Sequence, residues 1–157
     1  MKIAALLCFL SAFSCAFAVV PHGHELEFRM EPSFHDGLLI WLTRLPNGEI
    51  HGSVHRLLLV EKNGTMAHSE ARLLRKVKVS AQRFDALLSQ VEGEDLKAYA
   101  ESDEAIGMDG ETWVFLLKAG RRSLEYRFWN PDEQSVVGRL GREFLRLAQI
   151  EPVETRK

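Results

Sequence analysis

The feature that most constrains the fold is the spacing of turn signals in the first half of the chain. Between Glu25 and Val79 the sequence runs in apolar or alternating segments that are typical of strands. Asn-Gly pairs at 47–48 and 63–64 separate these segments and tolerate the positive φ of tight hairpin turns. Strands joined by turns this short run antiparallel, so the sequence predicts an antiparallel sheet.

The alternation differs from one strand to the next. In HELEFRM, the residues Leu26, Phe28 and Met30 alternate with charged neighbours, which indicates a strand with one wet face. GLLIWLTRL is apolar on both faces and predicts a buried strand. ARLLRKVKV fits a strand or a helix, and we favour the strand because the β-branched Val77 and Val79 alternate with lysines.

A further hairpin is predicted in the last third of the chain. Apolar residues alternate on both sides of KAGRR, and a four-residue loop over 119–122 brings them face to face. The predicted pairs are Leu117 with Leu124, Phe115 with Tyr126, and Trp113 with Phe128. Such cross-strand pairs contribute a few tenths to about 1 kcal/mol each. We interpret the acidic stretch Asp109–Glu111 as the corner that launches this hairpin, not as a site.

The first of two predicted helices follows Ser80, a residue type suited to the N-cap. Its apolar stripe has helical spacing and consists of Phe84, Leu87, Leu88 and Val91. Gly93 is the stop signal. Residues 93–108 then form an acidic connection that we expect to be a functional loop or an edge strand.

The second helix is predicted to open at NPDEQ. Asn130 is the expected N-cap, Pro131 suits the first helical position, and Glu133 is placed as a capping-box acid. The predicted buried stripe consists of Val137, Leu140, Phe144 and Leu147. Gly138 and Gly141 each cost about 1 kcal/mol of helix propensity, which indicates close packing. The resulting fold class is α+β, with an antiparallel sheet of about six strands and two helices packed on one face.

The N-terminus has the three-part pattern of a secretory signal peptide. A basic Lys2 precedes an apolar run that is too short to span a bilayer, and the small residues end in Ala16-Phe17-Ala18. We predict a signal peptide over 1–18 and a single domain over 19–157 with a short polar tail. The alternative is a lipoprotein anchored at Cys15, although Ala12 and Phe13 fit a lipoprotein signal poorly. No transmembrane segment is predicted.

Cleavage would remove both cysteines, Cys8 and Cys15, so the mature domain has no disulfide, thiolate ligand or thiol nucleophile. It would also remove Lys2, leaving 19 basic and 22 acidic residues and a formal charge of −3. This balance argues against general nucleic-acid binding.

Charges nevertheless separate along the chain, with an acidic stretch from about 92 to 111 followed by arginines. They form either two solvated faces that balance each other or a contact surface. The candidate binding residues are Asp95, Asp103, Glu104, Arg127, Trp129, Arg139, Arg142 and Arg146. Trp129 beside Arg127 is typical of an interface anchor, unless it packs under the start of the second helix.

All six histidines lie in the first half of the chain. His51 and His55 share a strand face but lie about 13 Å apart, too far to bind one ion unaided, so they are weak metal candidates. Ser53 between them could contact either histidine, yet nothing indicates an oxyanion hole. The sequence therefore predicts no cofactor and no enzyme, with a weak hydrolase as an alternative.

The block GMDGETWVFLL…LEYRFWNPD resembles small exported bacterial proteins of unassigned function. Those proteins share an Asp-Gly-x-x-Trp hairpin start and an aromatic-Trp-x-Pro end, matched here by Asp109, Gly110, Trp113, Phe128, Trp129 and Pro131. The resemblance covers about the last third of the chain, implies a bacterial exported domain and carries over no activity. The leading hypothesis is a periplasmic protein-binding or inhibitory, immunity-like domain with an exported protein partner. The alternative from another class is a small-ligand or metal carrier that uses the histidine-bearing sheet face.

Overall fold

The computed structural model describes residues 23–102 and 109–149. The first four strands are β1 (His24–Pro32), β2 (Gly37–Arg44), β3 (Ile50–Lys62) and β4 (Thr65–Val77). Helices α1 (Ala81–Val91) and α2 (Glu94–Ser102) follow. Strands β5 (Glu111–Ala119) and β6 (Arg122–Trp129) then lead to helix α3 (Val136–Leu147).

The six strands form one sheet in the order β4-β3-β2-β1-β5-β6, and every neighbouring pair is antiparallel. The predicted α+β class with an antiparallel sheet of about six strands is confirmed. Strand β1 joins the β2–β3–β4 part of the sheet to the β5–β6 hairpin, because it pairs with β2 on one side and β5 on the other. Phe28 lies opposite Ile40 of β2 and also opposite Phe115 of β5. This double pairing joins the two halves of the chain.

The predicted hairpins are present, but the loop expected over 119–122 is shorter, because Ala119 pairs with Arg122 and leaves only residues 120–121 in the turn. Gly48, Asn63 and Gly64 all have positive φ, at 86°, 55° and 76°. The register of β5 with β6 contains the predicted apolar pairs: Leu117 with Leu124, Phe115 with Tyr126, and Trp113 with Phe128. The ambiguous segment after Glu70 is a strand, as predicted, although Val79 lies beyond its end.

The two faces of the sheet differ in chemistry because successive side chains of a strand point to opposite sides. One face, which we call the core face, carries Leu26 and Phe28 of β1, both fully buried. The other face, which we call the charged face, carries four ionisable residues of β1: Glu25, Glu27, Arg29 and Glu31.

The core is dominated by aromatic contacts. Phe144 of α3 stacks on Phe28 with 5.4 Å between ring centroids. Tyr99 of α2 meets Phe128 edge-on at 5.6 Å. Phe84 of α1 lies under the Arg44 guanidinium at 4.5 Å. The hydrophobic core therefore lies between the sheet and the helices.

A helix occupies most of the segment that was expected to be a loop or an edge strand. Residues 94–102 form α2, so there are three helices and not two. Leu96 is fully buried, and Tyr99 and Ala100 pack against the same core, three and four positions further on. Glu94 and Asp95 in the first turn suit the positive end of the helix dipole. The spacing of Leu96, Tyr99 and Ala100 was the sequence pattern that could have predicted this helix.

The first helix has its predicted cap, since Ser80 Oγ accepts the Arg83 N–H at 3.2 Å. The predicted start of the last helix is wrong. Its N-cap is Ser135, whose Oγ accepts the Gly138 N–H at 3.0 Å. Asn130 has φ 41° and uses its side-chain oxygen at a different corner, so neither Asn130 nor Glu133 acts as the predicted cap.

The two glycines of α3 pack as closely as their helix cost indicated. A Cβ on Gly138 would lie 2.3 Å from the Asp132 carbonyl oxygen. A Cβ on Gly141 would lie 1.9 Å from Cζ3 of Trp113. Helix α3 therefore packs closely at two positions where there is no room for a side chain.

The predicted signal peptide over 1–18, including Cys15, lies outside the described residues. Within residues 23–102 and 109–149, no helix is long and apolar enough to cross a membrane.

Candidate functional site

The acidic stretch at 109–111 forms a hydrogen-bonded corner. Gly110 has φ 157°, and its carbonyl oxygen accepts the Ser33 N–H at 2.8 Å. Asn130 Oδ1 accepts the Glu111 N–H at 2.8 Å. The Glu111 carboxylate in turn accepts Trp113 Nε1–H at 2.6 Å, and burial raises the pKa of Glu111. These bonds use the polar groups of the corner to join the ends of β1, β5 and β6.

The metal candidates have separate partners. His51 Nε2 lies 2.9 Å from a carboxylate oxygen of Glu49, whereas His55 Nε2 lies 2.8 Å from Ser53 Oγ. Among the residues that the structure describes, no group of three or more His, Cys, Asp or Glu side chains could hold a metal ion. The structure thus does not bring His51 and His55 together as ligands.

The contact between Ser53 and His55 has the spacing of a nucleophile and a general base. However, Nδ1 of His55 is buried and has no hydrogen-bond partner among the described residues. Burial lowers the pKa of His55, which favours the neutral imidazole. In a serine triad, a carboxylate at this nitrogen orients the imidazole and stabilises its cation. The pair lacks that support.

The acidic candidates do not form a described cluster. Asp95 is exposed in the first turn of α2. Asp103 and Glu104 lie outside the described residues. The placement of Asp95 is explained by the helix dipole alone.

The arginine candidates of α3 do meet. Arg139, Arg142 and Arg146 line a cleft of about 330 Å³ together with Gln90 of α1 and Glu143. Internal partners occupy all three guanidinium groups: Arg139 donates to the Gln134 carbonyl at 2.5 Å, Arg142 lies 3.9 Å from Glu133, and Arg146 lies 2.5 Å from Glu143. The cleft is basic, because the partner of Arg139 is an uncharged carbonyl and Glu143 is shared with Arg83.

On the charged face, a continuous network of ion pairs joins β1 to β6 across β5. Arg29 of β1 pairs with Glu27 and lies 3.9 Å from Glu31. Glu31 also lies 3.8 Å from Arg127 of β6, which bonds Glu125 at 2.7 Å. The network is part-buried at its centre, where the Glu27 and Glu31 side chains are 12% and 17% exposed, and it opens to solvent at Arg127, which is 54% exposed. It therefore places fixed charges of both signs on this face.

The β1–β2 loop ties down the arm formed by β3 and β4. The Asp36 carboxylate accepts the Leu59 N–H at 2.9 Å and pairs with Arg56 at 2.6 Å, and both bonds lower the pKa of Asp36. Nε2 of His68 lies 2.8 Å from the carbonyl oxygen of His35. These bonds hold the arm beside the charged face.

A groove of about 340 Å³ lies between this arm and the β1–β5–β6 end of the charged face. Met66 and His68 form its arm side, and Arg29, Arg127 and Trp129 form its sheet side. Two candidates from the sequence, Arg127 and Trp129, thus share one concave surface. Trp129 is half-buried there, opposite Thr112.

Exposed hydrophobic side chains concentrate around the same surface. Trp41, expected within a fully buried strand, is 40% exposed on the charged face opposite Glu27. Leu73, 52% exposed, belongs to that face because it pairs with His55. Phe34 and Met66, 66% and 52% exposed, line a second cleft under the arm. Sequence periodicity missed Trp41 because the flanking residues are also apolar.

Comparisons of this chain with protein-family models, with curated proteins and with solved structures find no match. The resemblance to small exported bacterial proteins stays a prediction.

Proposed function

We propose that this protein is an exported binding domain of the inhibitory or immunity type that contacts a protein partner through its charged face. The signal-peptide pattern of residues 1–18 supports export. The observation that carries the proposal is the concentration of exposed hydrophobic side chains on the charged face and its arm. Among the described residues, six large hydrophobics are exposed: Phe34, Trp41, Met66, Leu73, Leu74 and Leu124. Five of these lie on β2, β4 or the β1–β2 loop.

The composition of this surface fits a protein interface. Trp and Arg are enriched at interface hot spots, and the surface combines Trp41 and Trp129 with Arg29 and Arg127. The ion pairs of Arg29 and Arg127 hold the guanidinium groups in fixed positions, which reduces the entropy lost on binding. Glu27 adjoins Trp41 across the strand pair, so the apolar anchor has a polar surround.

The test is recovery of the tagged protein from its exported compartment, with identification of co-purifying proteins at low and high salt. Trp41→Ala and Met66→Ala should each weaken capture of a stoichiometric partner about 30-fold, the effect of losing about 2 kcal/mol at a hot spot. Gln82→Ala is the control, since Gln82 is exposed on α1, away from the charged face and the arm.

Two results would contradict the proposal. Capture that survives Trp41→Ala but is lost in Arg139→Ala/Arg142→Ala/Arg146→Ala would move the contact to the arginine cleft. No partner at either salt would remove the protein-contact function, and metal-dependent melting would then test the carrier alternative. Intact-mass analysis of the exported form tests export itself, with a start at Val19 expected and a lipid mass on Cys15 as the opposing result.

The Ser53–His55 hydrogen bond supports a second candidate, a weak serine hydrolase. In it, Ser53 Oγ would attack an ester carbonyl as His55 Nε2 accepts the proton. Incubation with a panel of activated esters should then release alcohol, and Ser53→Ala should abolish the release. Equal rates for the two proteins would exclude this activity.

A further inference from the structure

The two edges of the sheet differ in regularity. Strand β4 has irregular pairing at two places, where Ser69 and Leu74 are extra residues relative to β3. Bulges of this kind disturb the outer edge of a strand and discourage another strand from adding to it. Strand β6 pairs with β5 without any register shift over its whole length. Among the described strands, none pairs with the outer edge of β6.

The hydrogen bonding of β5 with β6 shows which residues face this outer edge. The Asn130 N–H donates to the Glu111 carbonyl at 2.9 Å, so these opposite residues form a hydrogen-bonded pair. Such pairs alternate in an antiparallel ladder, so Phe128, Tyr126 and Leu124 also bond toward β5. Between them, Glu125 and Arg127 direct their backbone N–H and C=O outward.

The side chains of β6 are self-complementary about Tyr126. A second copy added edge to edge, with a two-fold axis perpendicular to the sheet, keeps each side chain on its own face. With the axis at Tyr126, Glu125 lies opposite Arg127 of the second copy, and the reverse pair forms on the other side. With the axis at Glu125 or at Arg127, like charges lie directly opposite each other, which is unfavourable.

The apolar side chains of β6 favour the same two-fold axis. Leu124 is 40% exposed on the core face side of β6. Of the six exposed large hydrophobics among the described residues, it is the one outside β2, β4 and the β1–β2 loop. With the axis at Tyr126, it lies opposite Phe128 of the second copy, and the neighbouring strand covers part of its exposed surface.

We propose that the protein forms a homodimer through the outer edges of two β6 strands, with the two-fold axis at Tyr126. The backbone groups of Glu125 and Arg127 exchange hydrogen bonds with those of Arg127 and Glu125 in the second copy. The two sheets become one continuous sheet, and both charged faces lie on the same side of it. This inference needs no partner protein and stands apart from the proposed function.

The test is sedimentation velocity on the purified exported protein and two charge variants, Glu125→Arg and Arg127→Glu. The wild-type protein should sediment as a dimer, and each variant should be monomeric because like charges oppose each other across the axis. An equimolar mixture of the two variants should sediment as a dimer, since every opposite pair then joins an arginine to a glutamate. Both side chains are exposed, so each variant should keep the fold, which circular dichroism and thermal melting check.

Glu70→Arg is the matched control, because Glu70 stands two residues before Arg72 on the bulged edge strand β4 and is exposed. It should leave the dimer intact. The proposal would be overturned if the wild-type protein were still monomeric at about 100 µM, a concentration at which even a weak dimer should form. Variants that remain dimeric, a mixture that remains monomeric, or dissociation by Glu70→Arg would also overturn it.

The register has its own test. In the proposed dimer the two Tyr126 residues form a non-hydrogen-bonded pair with Cα atoms about 4.5 Å apart, within disulfide range. Tyr126→Cys should therefore crosslink on mild oxidation, and Leu124→Cys should not. The reverse pattern would refute the axis at Tyr126.

Discussion

Replacement of Gly141 by alanine tests how α3 is seated on the sheet. A Cβ at this position would lie 1.9 Å from Cζ3 and 2.4 Å from Cε3 of Trp113. Carbon atoms in contact normally lie about 3.5 Å apart or more, so the ring or the helix would have to withdraw by about 1.6 Å. The indole cannot move freely, because its N–H donates to Glu111 and its ring packs perpendicular to that of Phe28, with 5.5 Å between the ring centroids.

Two effects of opposite sign set the magnitude. Alanine improves helix propensity by up to about 1 kcal/mol. Overpacking of a buried site costs about 1–3 kcal/mol, and a weakened Trp113–Glu111 hydrogen bond costs about 1 kcal/mol more. We therefore expect Gly141→Ala to lower the free energy of unfolding by about 2 kcal/mol, which lowers Tm by about 8 °C in a domain of this size.

Urea unfolding followed by tryptophan fluorescence and by circular dichroism measures the change. Trp113→Leu and the double variant Trp113→Leu/Gly141→Ala complete a double-mutant cycle. We expect Gly141→Ala to cost at least 1 kcal/mol less in the Trp113→Leu background, because the atoms that the new methyl group meets are absent there. A Gly141→Ala protein as stable as the wild type, or strictly additive effects, would refute the reasoning.

Three further predictions concern other parts of the structure. Burial raises the Glu111 pKa above 4.5, so the contribution of this carboxyl group to stability is complete below about pH 4.5 and is lost as the pH rises through the folded pKa. Glu111→Gln should therefore be more stable than the wild type near pH 7. Melting temperatures of the two proteins that coincide across the pH range would contradict this. The His55 pKa is lowered below 6.5 by burial, so its contribution is complete above about pH 6.5 and is lost as the pH falls through the folded pKa. His55→Gln should accordingly flatten the loss of stability between about pH 7 and pH 5, and an unchanged slope would argue against the burial of this imidazole. Ser135→Ala should cost about 1 kcal/mol in urea unfolding because Oγ accepts the Gly138 N–H, whereas a neutral change would show that this cap is dispensable.

Local sequence patterns predicted most of the fold. The Asn-Gly turns, the apolar pairs around KAGRR and the Ser80 cap depend on residues close in sequence, so periodicity and turn chemistry were sufficient to predict them. Helix α2 was missed because a nine-residue helix offers few periodic positions, and the acidic residues around Leu96 obscured its spacing. The start of α3 was misplaced because Asn130 bonds to Glu111, nineteen positions away.

The candidate site was less accessible to sequence reasoning. Arg127 and Trp129 were selected from their positions on one strand, but Met66 and His68 complete the groove from a distant hairpin. Trp41 was expected to be buried because its neighbours are apolar. Whether a sheet face is covered depends on where the helices lie, and no local pattern encodes that.

The sequence by itself determined the antiparallel hairpins, the first helix and its cap, and the absence of cysteine between residue 15 and the C-terminus. Each of these depends on chain composition or on neighbours within a few residues. Only the tertiary structure decided that β1 pairs with β5, that Asn130 belongs to a corner, and that one face of the sheet presents Trp41 among ion pairs. The physical reason is that pairing between distant segments depends on many weak contacts acting together, so no residue or local pattern along the chain predicts it.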